Sequence, residues 1–161
     1  MDPLIEVCCF APPRLSKSFR CLEGQIKTEP EDFVVREIGS VQHVGRGEHL
    51  HCWIEKRNLG TDELLEELSN QLGIARGEIG YAGMKDRRAV TFQWISLPRR
   101  VEERLEGLEV DGFSLHECVA HTSKLRRGQL EGNQFRIRIR GGHLIDGNSL
   151  AKALEAISLS G

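Results

Sequence analysis

From residue 134 to residue 140 the chain alternates without a break, with Phe135, Ile137 and Ile139 on one parity and Arg136, Arg138 and Arg140 on the other. Successive side chains of a strand point to opposite faces, whereas a helix would scatter these six residues around its circumference. The segment is therefore expected to be a strand with one apolar and one cationic face, and a strand needs a sheet to satisfy its backbone. The rest of the sequence supplies partners. Residues 32–38, 50–55, 79–82 and 90–97 read as strands, the first with only partial alternation around Phe33 and Val35, as in a strand covered on both faces. Between them Thr61 suits an N-cap, Asp62 and Glu63 a first turn, and Leu64, Leu68 and Leu72 one face of a helix that Gly73 stops. A short helix is expected over residues 101–108, after Pro98, and another after Asp146 carrying Leu150, Leu154 and Ile157. Strands and helices follow one another without regular βαβ alternation. The expected class is α+β, a mixed, largely antiparallel sheet flanked by helices.

A chain of 161 residues, 39% apolar and 29% charged, is enough for one domain with a real core. Asp2 and Glu6 interrupt the short apolar start and Pro12 and Pro13 end it, so neither a signal peptide nor a membrane span is expected. The cysteines at 8, 9, 21, 52 and 118 are odd in number and show no CxxC pairing. The expectation is a reduced, cytoplasmic protein with no disulfide framework.

The net charge of −2 conceals a sorted distribution. Lys124, Arg126, Arg127, Arg136, Arg138 and Arg140 stand against one acid, Glu131, and Lys85, Arg87 and Arg88 form a second cationic cluster. The acids concentrate over residues 62–67 and 102–109. Such sorting suits a polyanion on one side of the molecule, although a single basic cluster is more often a solubilising face.

The most informative stretch is Gly80-Tyr-Ala-Gly-Met-Lys-Asp-Arg-Arg-Ala-Val-Thr91, a loop between two expected strands. Small residues allow close backbone approach, and the strands fix the loop's ends, so the Asp86 carboxylate would be presented among Lys85, Arg87 and Arg88. Adjacent cations favour the charged form of a carboxylate, as a nucleophile requires. A surface turn with paired Asp and Arg side chains fits the same spacing. His49, His51 and Cys52 do not converge on one strand face, so a metal site is not expected there, and no GxxxxGK[ST], HExxH or PCxxC pattern occurs.

The segment Tyr81-Ala-Gly-Met-Lys-Asp-Arg-Arg-Ala-Val-Thr-Phe-Gln93 resembles the signature of the TruD family of pseudouridine synthases. Three more blocks follow the family's order: Ile26-Lys-Thr-Glu-Pro-Glu-Asp-Phe-Val-Val-Arg-Glu-Ile38, then Gly47-Glu-His-Leu50 leading through Lys56 and Asn58 to Thr61, then Lys124-Leu-Arg-Arg-Gly128 with Gly132-Asn-Gln-Phe135. The resemblance implies a pseudouridine-synthase-like catalytic domain that detaches uracil from its ribose in tRNA, turns it, and rejoins it through carbon, with neither metal nor organic cofactor. Asp86 falls on the family's catalytic aspartate and Lys27 on a basic position near it. Asn133 and Phe135 fall on positions used to hydrogen-bond and stack the target base, while Lys85, Arg87, Arg88, Arg136 and Arg138 are the expected phosphate contacts. Residues 1–23 would be an N-terminal extension, and residues 24–161 the N-terminal part of an incomplete catalytic domain, the family's inserted domain and C-terminal part being absent. An open sheet edge with an exposed apolar face, and self-association through it, are then expected. The alternative is a truncated, non-catalytic RNA-binding module.

Overall fold

The computed structural model describes residues 24–39 and 44–141, together with 148, 151, 152 and 155. Those last four residues are helical, but Leu150, Leu154 and Ile157 of the helix expected after Asp146, like the extension over residues 1–23, lie outside the described residues. Ile26–Arg140 forms one compact unit.

Its elements are a 3₁₀ turn Pro30–Asp32, β1 (Phe33–Ile38), β2 (His49–Arg57), α1 (Thr61–Leu72), a 3₁₀ turn Arg76–Glu78, β3 (Gly80–Tyr81), β4 (Val90–Pro98), a 3₁₀ helix Arg99–Gly107, β5 (Phe113–His121) and β6 (Gly132–Ile137). The strands form one sheet in the order β5-β2-β4-β1-β6, with β3 also paired to β4. Only β1 and β4 run parallel; every other pairing is antiparallel. The α+β class with a mixed, largely antiparallel sheet is what the pattern predicted.

The core lies on one face of β2 and β4. Leu50, Cys52 and Ile54 of β2 sit opposite Leu97, Ile95 and Gln93 of β4, and Leu64, Leu65, Leu68 and Leu72 of α1 close over them with Val101 and Leu105. Burying a leucine side chain stabilises by about 1.5–3 kcal/mol, so this helix face holds α1 to the sheet. Gly73 ends α1 in the left-handed conformation, φ +59°, as expected of a C-terminal glycine. The helix start differs from the expectation. Gly60 is the N-cap, and the Glu63 carboxylate accepts its N–H at 2.9 Å. Thr61 is instead the first helical residue and is buried, its hydroxyl turned to another part of the chain.

Two features lie outside the sequence reading. Strand β5 was not anticipated, because a bulge at His116 shifts its register: Trp53 pairs Glu117 while the next residue, Ile54, pairs Leu115. The core contacts Phe113, Leu115, Cys118 and Ala120 therefore change phase midway, and no period-two pattern survives. The expectation of fully reduced cysteines is corrected as well. Cys52 and Cys118 face each other across β2 and β5 and are joined as a disulfide, a pairing between residues 66 apart that only the strand register reveals.

Candidate active site

The loop carrying Asp86 leaves β3 and enters β4 on a fixed path. Gly80 is pressed so closely against Ser96 Oγ and the Leu125 carbonyl that a Cβ there would collide with both. Ser96 Oγ in turn accepts the Leu125 N–H at 2.9 Å, and the Ala82 carbonyl accepts the Gly128 N–H at 2.8 Å. The Lys124–Gly128 block thus braces the strand end from which the loop departs.

Beneath the loop lies a buried polar floor. Lys85, expected among the phosphate contacts, is corrected: its ammonium is 2.8 Å from the Glu37 carboxylate, with the two side chains only 3% and 1% exposed. The contact is an ion pair rather than an aligned hydrogen bond, since that Glu37 oxygen has no partner in hydrogen-bond geometry. The other Glu37 oxygen accepts the Trp94 N–H at 3.4 Å, beyond the end of the β1–β4 ladder. A buried charge is tolerated when paired, so Lys85 is committed to the interior. The Thr61 hydroxyl accepts the Lys85 N–H at 3.1 Å and lies 3.3 Å from its carbonyl.

Lys56 completes the floor. It is fully buried, and its three ammonium donors reach three carbonyls, those of Leu59 at 2.7 Å, Asp86 at 2.7 Å and Lys85 at 3.3 Å. Burial pushes its pKa down from the ordinary lysine value to about 8, partly opposed by the nearby Asp86 charge and reinforced by Lys85.

Above the floor the Asp86 side chain is 44% exposed, and its Oδ1 accepts a hydrogen bond from Lys27 Nζ at 2.7 Å. The carboxylate is therefore both fixed and reachable. Lys27 arrives from the start of the unit with its backbone in the left-handed region, φ +58°, a conformation that costs a non-glycine residue about 1–2 kcal/mol. The turn that follows is well anchored: Asp32 is buried, accepts the Glu29 N–H at 3.1 Å, and is gripped by Arg140 through two hydrogen bonds of 2.6 and 2.8 Å. The Arg140 guanidinium holds the Asp32 carboxyl below its usual range. The Lys27 ammonium also sits over the Phe33 ring, 3.9 Å from its centroid, and Phe33 meets Phe135 edge to face at 5.9 Å. A continuous line runs from Asp86 through Lys27 and Phe33 to Phe135.

Register places the remaining expected residues. Asn133 is opposite Glu37 and Phe135 opposite Val35, so both share the sheet face of the Glu37–Lys85 pair. Phe135 is 55% exposed, so its ring is not part of the core. Arg87 and Arg88 are exposed beside Asp86, with Arg87 paired to Glu63 at 2.7 Å. Of the arginines expected to contact phosphate, Arg136 and Arg138 have other neighbours. Arg136 is opposite Val34, whose parity on β1 is that of Arg36 and not that of Glu37, and the Arg138 guanidinium lies 3.8 Å from Asp32. The structure thus connects Asp86 with Lys27 and Phe135, puts Asn133 on the same sheet face as Phe135, and turns Arg136 to the other face.

Lys56 and Glu37 carried no assigned role in the sequence, yet both had a signal. Each is a charged residue at the buried parity of its strand, after Leu50, Cys52 and Ile54 in one case and after Val35 in the other. Two pockets, of about 400 and 540 Å³, are lined by residues such as His49 and Arg100 or Tyr81 and Arg127, and neither borders Asp86. Among the described residues no three His, Cys, Asp or Glu side chains are placed to hold a metal ion, and no helix is long and apolar enough to cross a membrane.

Comparison with known proteins finds similarity over most of the chain. The family described as tRNA pseudouridine synthase D (TruD) matches residues 15–160. A tRNA pseudouridine synthase D of Geotalea daltonii is 45% identical over 129 residues, 80% of this chain and 32% of that protein, and one of Thermus thermophilus is 45% identical over 129 residues, 80% of this chain and 36% of that protein. A crystal structure described as that of a TruD from Methanosarcina mazei superposes with a TM-score of 0.76 at 29% identity, over 86% of this chain and 31% of that one. The chain spans about a third of the length of the relatives it matches.

Proposed function

Because the chain belongs to the TruD family of tRNA pseudouridine synthases, we propose that it carries the reactive carboxylate of an isomerase that converts a uridine of tRNA to pseudouridine. Asp86 acts as a covalent nucleophile, which divides one difficult substitution into two easier ones. Lys27 fixes one carboxylate oxygen and leaves the exposed remainder of the side chain to the substrate. A base in folded RNA must leave its stack before it can be reached, and the exposed Phe135 ring, with the amide of Asn133 on the same face, receives it. Arg87 and Arg88 hold phosphates at the mouth of the site, while Arg136 and Arg138 meet RNA that passes round the β6 edge. These side chains supply the nucleophile and the base contacts, so the proposed reaction draws on no cofactor. Residues 24–161 are then the N-terminal part of a catalytic domain, at work in the cytoplasm.

The observation that carries this reading is the 2.7 Å contact by which Lys27, 59 positions away, meets Asp86 inside the loop that bears the family signature. A second reading, an RNA-binding module without catalysis, is favoured by the exposed side chains of Arg136 and Arg138. The test is chemical mapping of pseudouridine in unmodified tRNA treated with this chain and with a form extended to the relatives' full length. Modification of one uridine supports the enzyme reading; salt-sensitive binding with no modification by either form supports the module.

A further inference from the structure

We infer that Lys56 is a positioning residue for the reaction, a buried ammonium that sets the height and angle of Asp86 by gripping the peptide carbonyls beneath it. The inference rests on Asp86 being the reactive group and deepens that assignment. An ammonium has three donors, and here all three are spent on backbone oxygens from two loops: Leu59 ahead of α1, and Lys85 and Asp86 between β3 and β4. The grip includes the carbonyl of the reactive residue itself, at 2.7 Å.

A lysine that merely filled space would be replaced at little cost by an apolar side chain, since a fully buried ammonium is costly unless its donors are satisfied. Lys56 is on the core parity of β2, paired with Thr91 of β4 on one side and Phe113 of β5 on the other, where an apolar residue would suit the packing. What the ammonium adds is a direct link from Leu59 to Lys85 and Asp86, beyond the Asn58 N–H to Ala89 carbonyl bond of 3.0 Å that continues the β2–β4 ladder. Thr61 supplements it, holding the Lys85 peptide by both N–H and carbonyl. The charged groups that act on Lys56 are Asp86, Lys85 and Glu63. The Asp86 backbone is thereby fixed from inside the protein, independently of Lys27, which fixes its carboxylate from outside.

The test compares wild type with Lys56→Met and Thr61→Val in single-turnover pseudouridine formation, tRNA binding, and hydrogen exchange of the peptide spanning residues 83–88. Misplacement of a reacting group by about 1 Å can cost on the order of a hundredfold in rate. Lys56→Met is expected to slow turnover by about tenfold to a hundredfold and Thr61→Val by less, with tRNA affinity held within about twofold and faster exchange in the loop. A folded Lys56→Met form with wild-type turnover and wild-type loop exchange overturns the inference. Should Lys56→Met fail to fold, Thr61→Val decides, and unchanged turnover with unchanged exchange is then the contrary result. Asp86→Asn is measured alongside: if it turns over normally, the nucleophile assignment fails, and loop exchange alone still judges the Lys56 grip.

Discussion

One sheet carries two unlike halves. Over β2 and β4 the face is sealed by α1 and the 3₁₀ helix, and Leu50, Ile54, Leu64, Leu68 and Leu97 have essentially no exposed surface. Over β6 the same face is open, and Phe135 and Ile137, with Ile139 just past the strand, stand about half exposed although their alternation is the cleanest in the sequence. Asp86 sits at the border, its backbone held by the sealed half and its side chain turned to the open one. Apolar patterning therefore has two uses here, one to make a core and one to leave a surface for something else to cover.

The sharpest way to break this contrast is to truncate one apolar side chain in each half. Leu68→Ala should cost about 2–5 kcal/mol in urea unfolding, because a cavity is left in a packed interior. Ile137→Ala should change stability by less than about 0.5 kcal/mol. Equal losses would mean that the open face is covered in solution, as self-association through β6 would cover it; size-exclusion chromatography at several concentrations separates the two outcomes.

Next in size is Phe135→Ala. Loss of a stacking ring costs about 1–3 kcal/mol, so kcat/KM on tRNA should fall by about tenfold to a hundredfold with the urea midpoint unmoved. A fall in stability instead would give Phe135 a structural role.

Arg140→Ala probes the boundary turn by pH. Asp32 has its carboxyl lowered in the folded state by Arg140, so its contribution is present above the ordinary aspartate value of 3.8 and is lost as pH falls through the lowered one. The variant should be less stable than wild type at neutral pH, and the difference should shrink below that range. A difference that does not vary with pH would show that the pair adds nothing beyond packing.

The sealed half was largely legible in the sequence because it obeys single rules: leucines at helical spacing, a glycine to end the helix, strands bounded by turn residues. The open half was legible in its parity and not in its environment, since alternation assigns Phe135 a face but cannot say whether anything covers it. Hydroxyls and charges were hardest to place. Thr61 has the chemistry of a cap and is used instead to hold a peptide 24 residues away, and Lys85 has the sequence context of an RNA contact but turns inward to Glu37. A bulge hid β5, and with it the register that joins Cys52 to Cys118.

Pseudouridine formation by the Asp86→Asn form, measured beside its affinity for the same tRNA, is the most direct test of the reactive carboxylate. Asparagine keeps the shape and the backbone grip of Lys56 but not the nucleophilic oxygen. Modification should fall below about a thousandth of the wild-type rate while binding changes little. An Asp86→Asn form that modifies tRNA as fast as wild type would contradict the assignment outright.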